Sequence, residues 1–237
     1  MDRLLVALDV DTAVEARALA DRLRGIVGGF KIGSRLFTSE GPSIVSELAS
    51  RGDRVFLDLK FHDIPNTVAG AVSAATRLGA WMINVHAAGG GTMMRAAADA
   101  ARTEAAKMSR PVPVLIAVTV LTSFDQSTLA DIGVHGGVQE QVERLALLAK
   151  ASGLDGVVAS PQEINAVRAR CGTDFAIVTP GIRGADDARQ DQRRTMSADE
   201  ALAAGATYLV VGRPILAAPD PRQAAERIAS LCRTSPA

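Results

Sequence analysis

The 237-residue chain holds only two cysteines and three histidines. Cys171 and Cys232 fall in helical patterns with neither metal-ligand nor redox spacing, and read as packing residues rather than a disulfide. His62, His86 and His135 are scattered, with no i, i+4 pair and no accompanying carboxylates, which argues against a zinc site. Net charge is also missing. The 26 Lys and Arg balance the 26 Asp and Glu, so nothing in the overall charge favours a nucleic acid or an anionic membrane. The longest strongly apolar run, 112–121, contains Pro113 and Thr119 and is about half the length a membrane-crossing helix needs. Met1-Asp2-Arg3, followed by Asp9 inside the first apolar run, lacks the basic region and unbroken apolar stretch of a signal peptide, and makes the cytoplasm the expected location. There is no Pro/Ser-rich linker, low-complexity tract or long block of one charge, so 1–237 reads as a single domain.

What is present is a regular alternation. Hydrophobic residues make up 48% and charged residues 22%, which places the chain among globular proteins that fold unaided. Short β-branched or apolar runs mark eight candidate strands, at 4–8, 29–32, 55–59, 82–85, 114–120, 156–159, 176–179 and 208–211. Each is followed by an alanine-rich segment with helical spacing of its apolar residues. Asp11 or Thr12 can cap the first helix, Ser197 the seventh and Asp220 the last, while Gly25, Gly52, Gly79 and Gly153 fit helix ends. Eight βα units of just under 30 residues match a compact (β/α)8 TIM barrel of about 250 residues. A doubly wound nucleotide-binding sheet is the other candidate. Its G-x-G-x-x-G turn is absent after the first strand, where the chain reads Asp9-Val10-Asp11-Thr12.

Barrel active sites lie at the C-terminal ends of the strands, and those ends are loaded with charge. The first strand ends at Asp9, the second passes through Lys31, the third runs into Asp58-Leu59-Lys60-Phe61-His62-Asp63, and the eighth into Gly212-Arg213. Alternation points Asp58 and Lys60 the same way and Leu59 into the opposite layer. Asp63 follows the strand on a loop, just ahead of Ile64-Pro65, and can reach sideways. Flanking carboxylates favour the charged form of Lys60, which suits it to give a proton to a carbanion, while an adjacent carboxylate repels a substrate anion that disappears in the reaction. A plain salt-bridge network is the alternative.

A second constellation suits phosphate. Thr179-Pro180-Gly181-Ile182-Arg183-Gly184 follows the seventh strand and Val211-Gly212-Arg213-Pro214 closes the eighth, the two loops where barrels commonly bind phosphate. Glycine lets the backbone approach closely and arginine can grip phosphate with two donors. The polar stretch 183–194 has no apolar periodicity and fits a lid over a ligand. Ser123 and Ser160 lack a nucleophile elbow, so serine hydrolase chemistry has no support.

Taken in order, Leu8-Asp9-Val10, Phe30-Lys31-Ile32-Gly33, Asp58-Leu59-Lys60-Phe61-His62-Asp63-Ile64-Pro65-Asn66-Thr67, Val85-His86-Ala87, Leu121-Thr122-Ser123, Thr179-Pro180-Gly181-Ile182-Arg183 and Val211-Gly212-Arg213-Pro214-Ile215 resemble the orotidine 5'-phosphate decarboxylase family over essentially the whole chain. The D-x-K-x-x-D element is shared with related sugar-phosphate decarboxylases and aldolases; its continuation Ile64-Pro65-Asn66-Thr67 points to this family. Arg35 departs from the family, which often has an acidic residue there. The resemblance implies a carboxy-lyase that converts orotidine 5'-monophosphate to UMP and CO2, the last step of de novo pyrimidine biosynthesis, with no metal or organic cofactor. By the same resemblance Lys60 is the proton donor to C6 of the pyrimidine, and Asp58 lies against the departing carboxylate. Asp63, Ile64 and Thr67 reach the active site of the neighbouring subunit of a homodimer. Asp9 and Lys31 bind the ribose hydroxyls, Thr122 the base, and Arg183, Gln192, Gly212 and Arg213 the phosphate. The rivals are a magnesium-dependent sugar-phosphate decarboxylase or aldolase on the same barrel, and a catalytically silent nucleotide-binding barrel.

Overall fold

The computed structural model describes residues 3–182 and 196–234. Its strands are β1 (Leu4–Ala7), β2 (Gly29–Gly33), β3 (Val55–Phe61), β4 (Met82–His86), β5 (Val114–Val118), β6 (Gly156–Val158), β7 (Ala176–Thr179) and β8 (Tyr208–Val211). They pair in parallel in chain order, and β8 closes onto β1 with Leu4 opposite Leu209 and Val6 opposite Val211. The result is the (β/α)8 barrel that the alternating pattern implies. The strands differ from expectation at their C-terminal ends: β3 runs on to Phe61 rather than 59, and β5 stops at Val118 rather than 120.

The connecting helices are α1 (Ala13–Leu23), α2 (Ser34–Glu40), α3 (Ser43–Ser50), α4 (Pro65–Arg77), α5 (Gly90–Lys107), α6 (Gln126–Asp131), α7 (Val138–Ala151), α8 (Ile164–Cys171), α9 (Ala198–Ala203), α10 (Arg213–Leu216) and α11 (Pro221–Thr234). The crossover from β2 to β3 is split into two helices, because Gly41 turns to φ 73° and Pro42 has no N–H with which to continue α2. Thr12 and Ser197 each form a capping box, with Glu15 and Glu200. Asp220 accepts from the backbone N–H groups of Arg222 and Gln223 at the start of α11. Cys171 and Cys232 are buried and unbonded, in α8 and α11.

Alternation along the strands divides the apolar side chains into two cores. Leu4, Val6, Leu8, Leu57, Ile83 and Val85 face outward into the layer beneath the helices. Leu5, Ala7, Phe56, Met82, Ile116, Val178 and Val210 fill the barrel itself. Continued toward the C-terminal ends, the inward positions change character: Asp9 follows Ala7, Asp58 and Lys60 follow Phe56, and Asn84 follows Met82. The periodicity that builds the apolar interior therefore also aims charge and amide groups into its mouth.

Candidate active site

At that mouth four charged side chains stand in one alternating chain. Lys31 Nζ lies 3.1 Å from Asp9 Oδ1 and 3.5 Å from Asp58 Oδ2, and Lys60 Nζ lies 2.7 Å from Asp58 Oδ1. The two central members are the most enclosed, with side-chain exposures of 10% for Lys31 and 13% for Asp58, against 35% for Lys60 and 52% for Asp9. Opposite charges this close to an apolar floor interact through a medium far less screening than water. These four groups and Thr122 line a cavity of about 210 Å³ whose other wall is apolar, including Phe56, Val118, Val178, Val210 and Pro180. Charged groups together with an apolar lining suit a small anionic ligand with an apolar body.

Backbone geometry accounts for how Asp58 and Lys60 come together. Leu57 pairs with Ile83 but Phe61 pairs with Val85, so the intervening residues of β3 arch out of the ladder. Within that arch Lys60 takes φ 53°, a left-handed conformation uncommon for a residue with a side chain. Leu59 packs on the outer core, as alternation requires. The side chains of Asp58 and Lys60 meet as expected, although the strand between them is not regular.

One residue of the site went unread in the sequence. Asn84, fully buried on β4, accepts the Lys60 backbone N–H at 2.8 Å and donates to Asp58 Oδ1 at 2.6 Å. The signal was available, since an amide at an inward position of a buried apolar strand must find partners inside the barrel. Gly33, which closes the Phe30-Lys31-Ile32-Gly33 motif, leaves room for the ammonium: a Cβ there would lie 2.9 Å from Lys31 Nζ.

The remaining sequence-derived candidates fall in three places. Gly212 adjoins the charge chain, with Asp9 Oδ2 3.5 Å from where its Cβ would stand, and the exposed Arg213 opens α10. Asp63, Ile64 and Thr67 lie outside the cavity. The Asp63 carboxylate is exposed and accepts the Ile64 N–H at 2.6 Å, and Ile64 holds the extended conformation that Pro65 imposes, with 67% of its surface exposed. Arg183 and Gln192 lie outside the described residues. At the rim the His62 and His86 rings stand 5.5 Å apart, and burial, reinforced by the neighbouring His62 and Lys60, holds His86 below its usual 6.5. Among the described residues no group of three or more His, Cys, Asp or Glu side chains is placed to hold a metal ion.

A closed barrel with an alternating ammonium and carboxylate chain at the C-terminal ends of its strands has the form of an enzyme acting on small anionic molecules. The chain belongs to the Orotidine 5'-phosphate decarboxylase / HUMPS family, whose model matches residues 2–228. It is 58% identical over 230 residues to the orotidine 5'-phosphate decarboxylase of Moorella thermoacetica, covering 97% of this chain and 91% of that one. The protein of the same name from Syntrophotalea carbinolica is 54% identical over 226 residues, covering 95% and 93%. Among solved structures, the orotidine 5'-phosphate decarboxylase of Lactobacillus acidophilus matches with a TM-score of 0.84 at 37% identity, covering 96% of this chain and 97% of that one.

Proposed function

We propose that this chain is a carboxy-lyase that decarboxylates orotidine 5'-monophosphate to UMP and CO2, the closing step of de novo pyrimidine biosynthesis, and that it does so in the cytoplasm. The observation that carries the reading is the Asp9–Lys31–Asp58–Lys60 chain, set at the barrel mouth of a member of this family. The substrate carboxylate sits against Asp58. Their repulsion vanishes as the C6–carboxyl bond breaks and neutral CO2 leaves with the bonding electrons left on C6. The developing carbanion faces the Lys60 ammonium, which transfers a proton to C6 and is reprotonated from water. Charge fixed in advance, rather than a cofactor, lowers the barrier.

Asp9 and Lys31 bind the ribose hydroxyls and Thr122 the base. Gly212 and Arg213, with Arg183 and Gln192, hold the phosphate, whose binding energy aligns the distant reacting centre. The exposed Asp63, Ile64 and Thr67 complete the site of a second copy in a homodimer; a 67%-exposed isoleucine beside an exposed carboxylate supports that role. Among the described residues no helix is long and apolar enough to cross a membrane, which accords with the proposed location.

The test is the fall in absorbance as orotidine 5'-monophosphate becomes UMP, run in EDTA with the purified protein and with Lys60→Ala. Turnover in EDTA that is nearly abolished in the variant, while UMP still binds, is the expected result. A folded wild-type protein that binds UMP without turnover overturns the enzyme assignment, and substantial turnover by Lys60→Ala overturns the proton donor.

A further inference from the structure

The left-handed Lys60 poses a physical problem that its own sequence does not solve. Residues that enter this region without strain are glycine and, less readily, asparagine or aspartate, and a lysine there needs something outside itself to hold it. The arch in β3 also removes Lys60 from the regular ladder with β4. Its N–H is satisfied instead by Asn84 Oδ1, a side chain reaching across from the neighbouring strand. The other end of the same amide donates to Asp58 Oδ1, the oxygen that also accepts from Lys60 Nζ. A closed ring results: Lys60 backbone to Asn84, Asn84 to Asp58, Asp58 back to the Lys60 ammonium.

The amide orientation follows from its partners, because the reverse arrangement would set N–H against N–H and oxygen against carboxylate. No apolar residue can do this, and a hydroxyl on a shorter stem cannot span both groups. On the decarboxylase reading given above, we infer that Asn84 is a positioning residue, which fixes the backbone arch of Lys60 and the carboxylate of Asp58 together and so sets the line along which the proton is delivered to C6. It touches no reacting atom and acts through the two groups it joins.

Asn84→Leu keeps the approximate size while removing both donor and acceptor. Turnover of orotidine 5'-monophosphate should fall about 10²-fold in kcat, the scale of a misplacement near 1 Å, with the dissociation constant for UMP changed less than about threefold. Asn84→Asp supplies the readout that a merely structural role would not move. The new carboxyl would face Asp58 and Lys60 from β3, Lys31 from β2 beyond Asp58, and the His62 and His86 pair at the rim. When protonated it can accept the Lys60 N–H and donate to Asp58; when ionised it repels Asp58. The ratio of its kcat to that of the wild type at the same pH should therefore rise as pH falls, and the ratio cancels the titration of the histidines common to both.

A kcat within about threefold of wild type in folded Asn84→Leu, or a pH-independent ratio in Asn84→Asp, overturns the inference. Crystal structures of the two variants decide it apart from the reaction. If the wild type has no decarboxylase activity, that reading falls, and the positioning claim still stands or falls on whether Lys60 keeps its left-handed backbone and its contact with Asp58 without the amide. Loss of that conformation in Asn84→Leu supports it, and retention overturns it.

Discussion

Lys31 is the residue through which the two ends of the charge chain communicate, and its position is fixed by a neighbour that has no side chain. Its ammonium bridges Asp9 and Asp58 from a side chain only 10% exposed. Gly33, on the same face of β2, leaves the space that the ammonium occupies. Its backbone lies at φ −96°, a conformation open to any residue, so the demand for glycine is one of space alone. A Cβ there would come within 2.9 Å of Lys31 Nζ and 3.6 Å of Asp9 Oδ1. A flexible lysine can retreat, so the fold survives, but it cannot retreat and keep both carboxylates. Gly33→Ala should melt close to the wild type while its kcat/KM falls on the order of tenfold or more, measured by the orotidine 5'-monophosphate assay alongside thermal unfolding. A variant that loses stability and keeps its catalytic efficiency would show that Gly33 serves the barrel and not the ion pairs.

Among the elements, the separation between mouth and base decides what a mutation does. Arg168, near the end of α8, donates to the carbonyls of Gly172, Thr173, Phe175 and Gly205 and to Thr207 Oγ1. It thereby ties the segments that feed β7 and β8 at the end of the barrel opposite the charge chain. Burial pulls its guanidinium below the ordinary arginine value, so the bonds offset a real desolvation cost. Arg168→Ala leaves several carbonyls to water or to nothing, and should cost about 2–3 kcal/mol, a fall of roughly 5–10 °C in Tm, with kcat per folded molecule unchanged. Differential scanning calorimetry beside the activity assay separates the two effects. The elements themselves were legible because strand register and capping are local: Thr12 with Glu15, or Ser197 with Glu200, announces a helix start within four residues of chain. The arch in β3 was not legible. Asp58-Leu59-Lys60 contains no glycine or asparagine to mark a positive φ, and the group that holds it is Asn84, on the next strand. What long-range contacts impose on a backbone leaves no local trace in the residues that bend.

At the scale of the whole molecule the barrel seats Asp9, Lys31, Asp58 and Lys60 within one chain but leaves Asp63, from the same sequence element, facing outward. Lys60 and Asp58 meet across the arch of β3, the strand they share, whereas Asp63 lies beyond that strand, on the approach to α4. If that loop completes the site of a second copy in the proposed homodimer, each site draws Lys60 from one subunit and Asp63 from the other. Lys60→Ala and Asp63→Asn should then each be nearly inactive alone yet complement one another. Random reassortment of equal amounts gives half mixed dimers, and each mixed dimer holds one site with both groups intact and one with neither, so the mixture should recover about a quarter of wild-type activity. Dissociating and reassociating the two variants together, against each treated alone, measures this directly. Activity that stays at the level of the separate variants, in a sample shown to have exchanged subunits, would place Lys60 and Asp63 in the service of the same chain and remove the reason for a shared site.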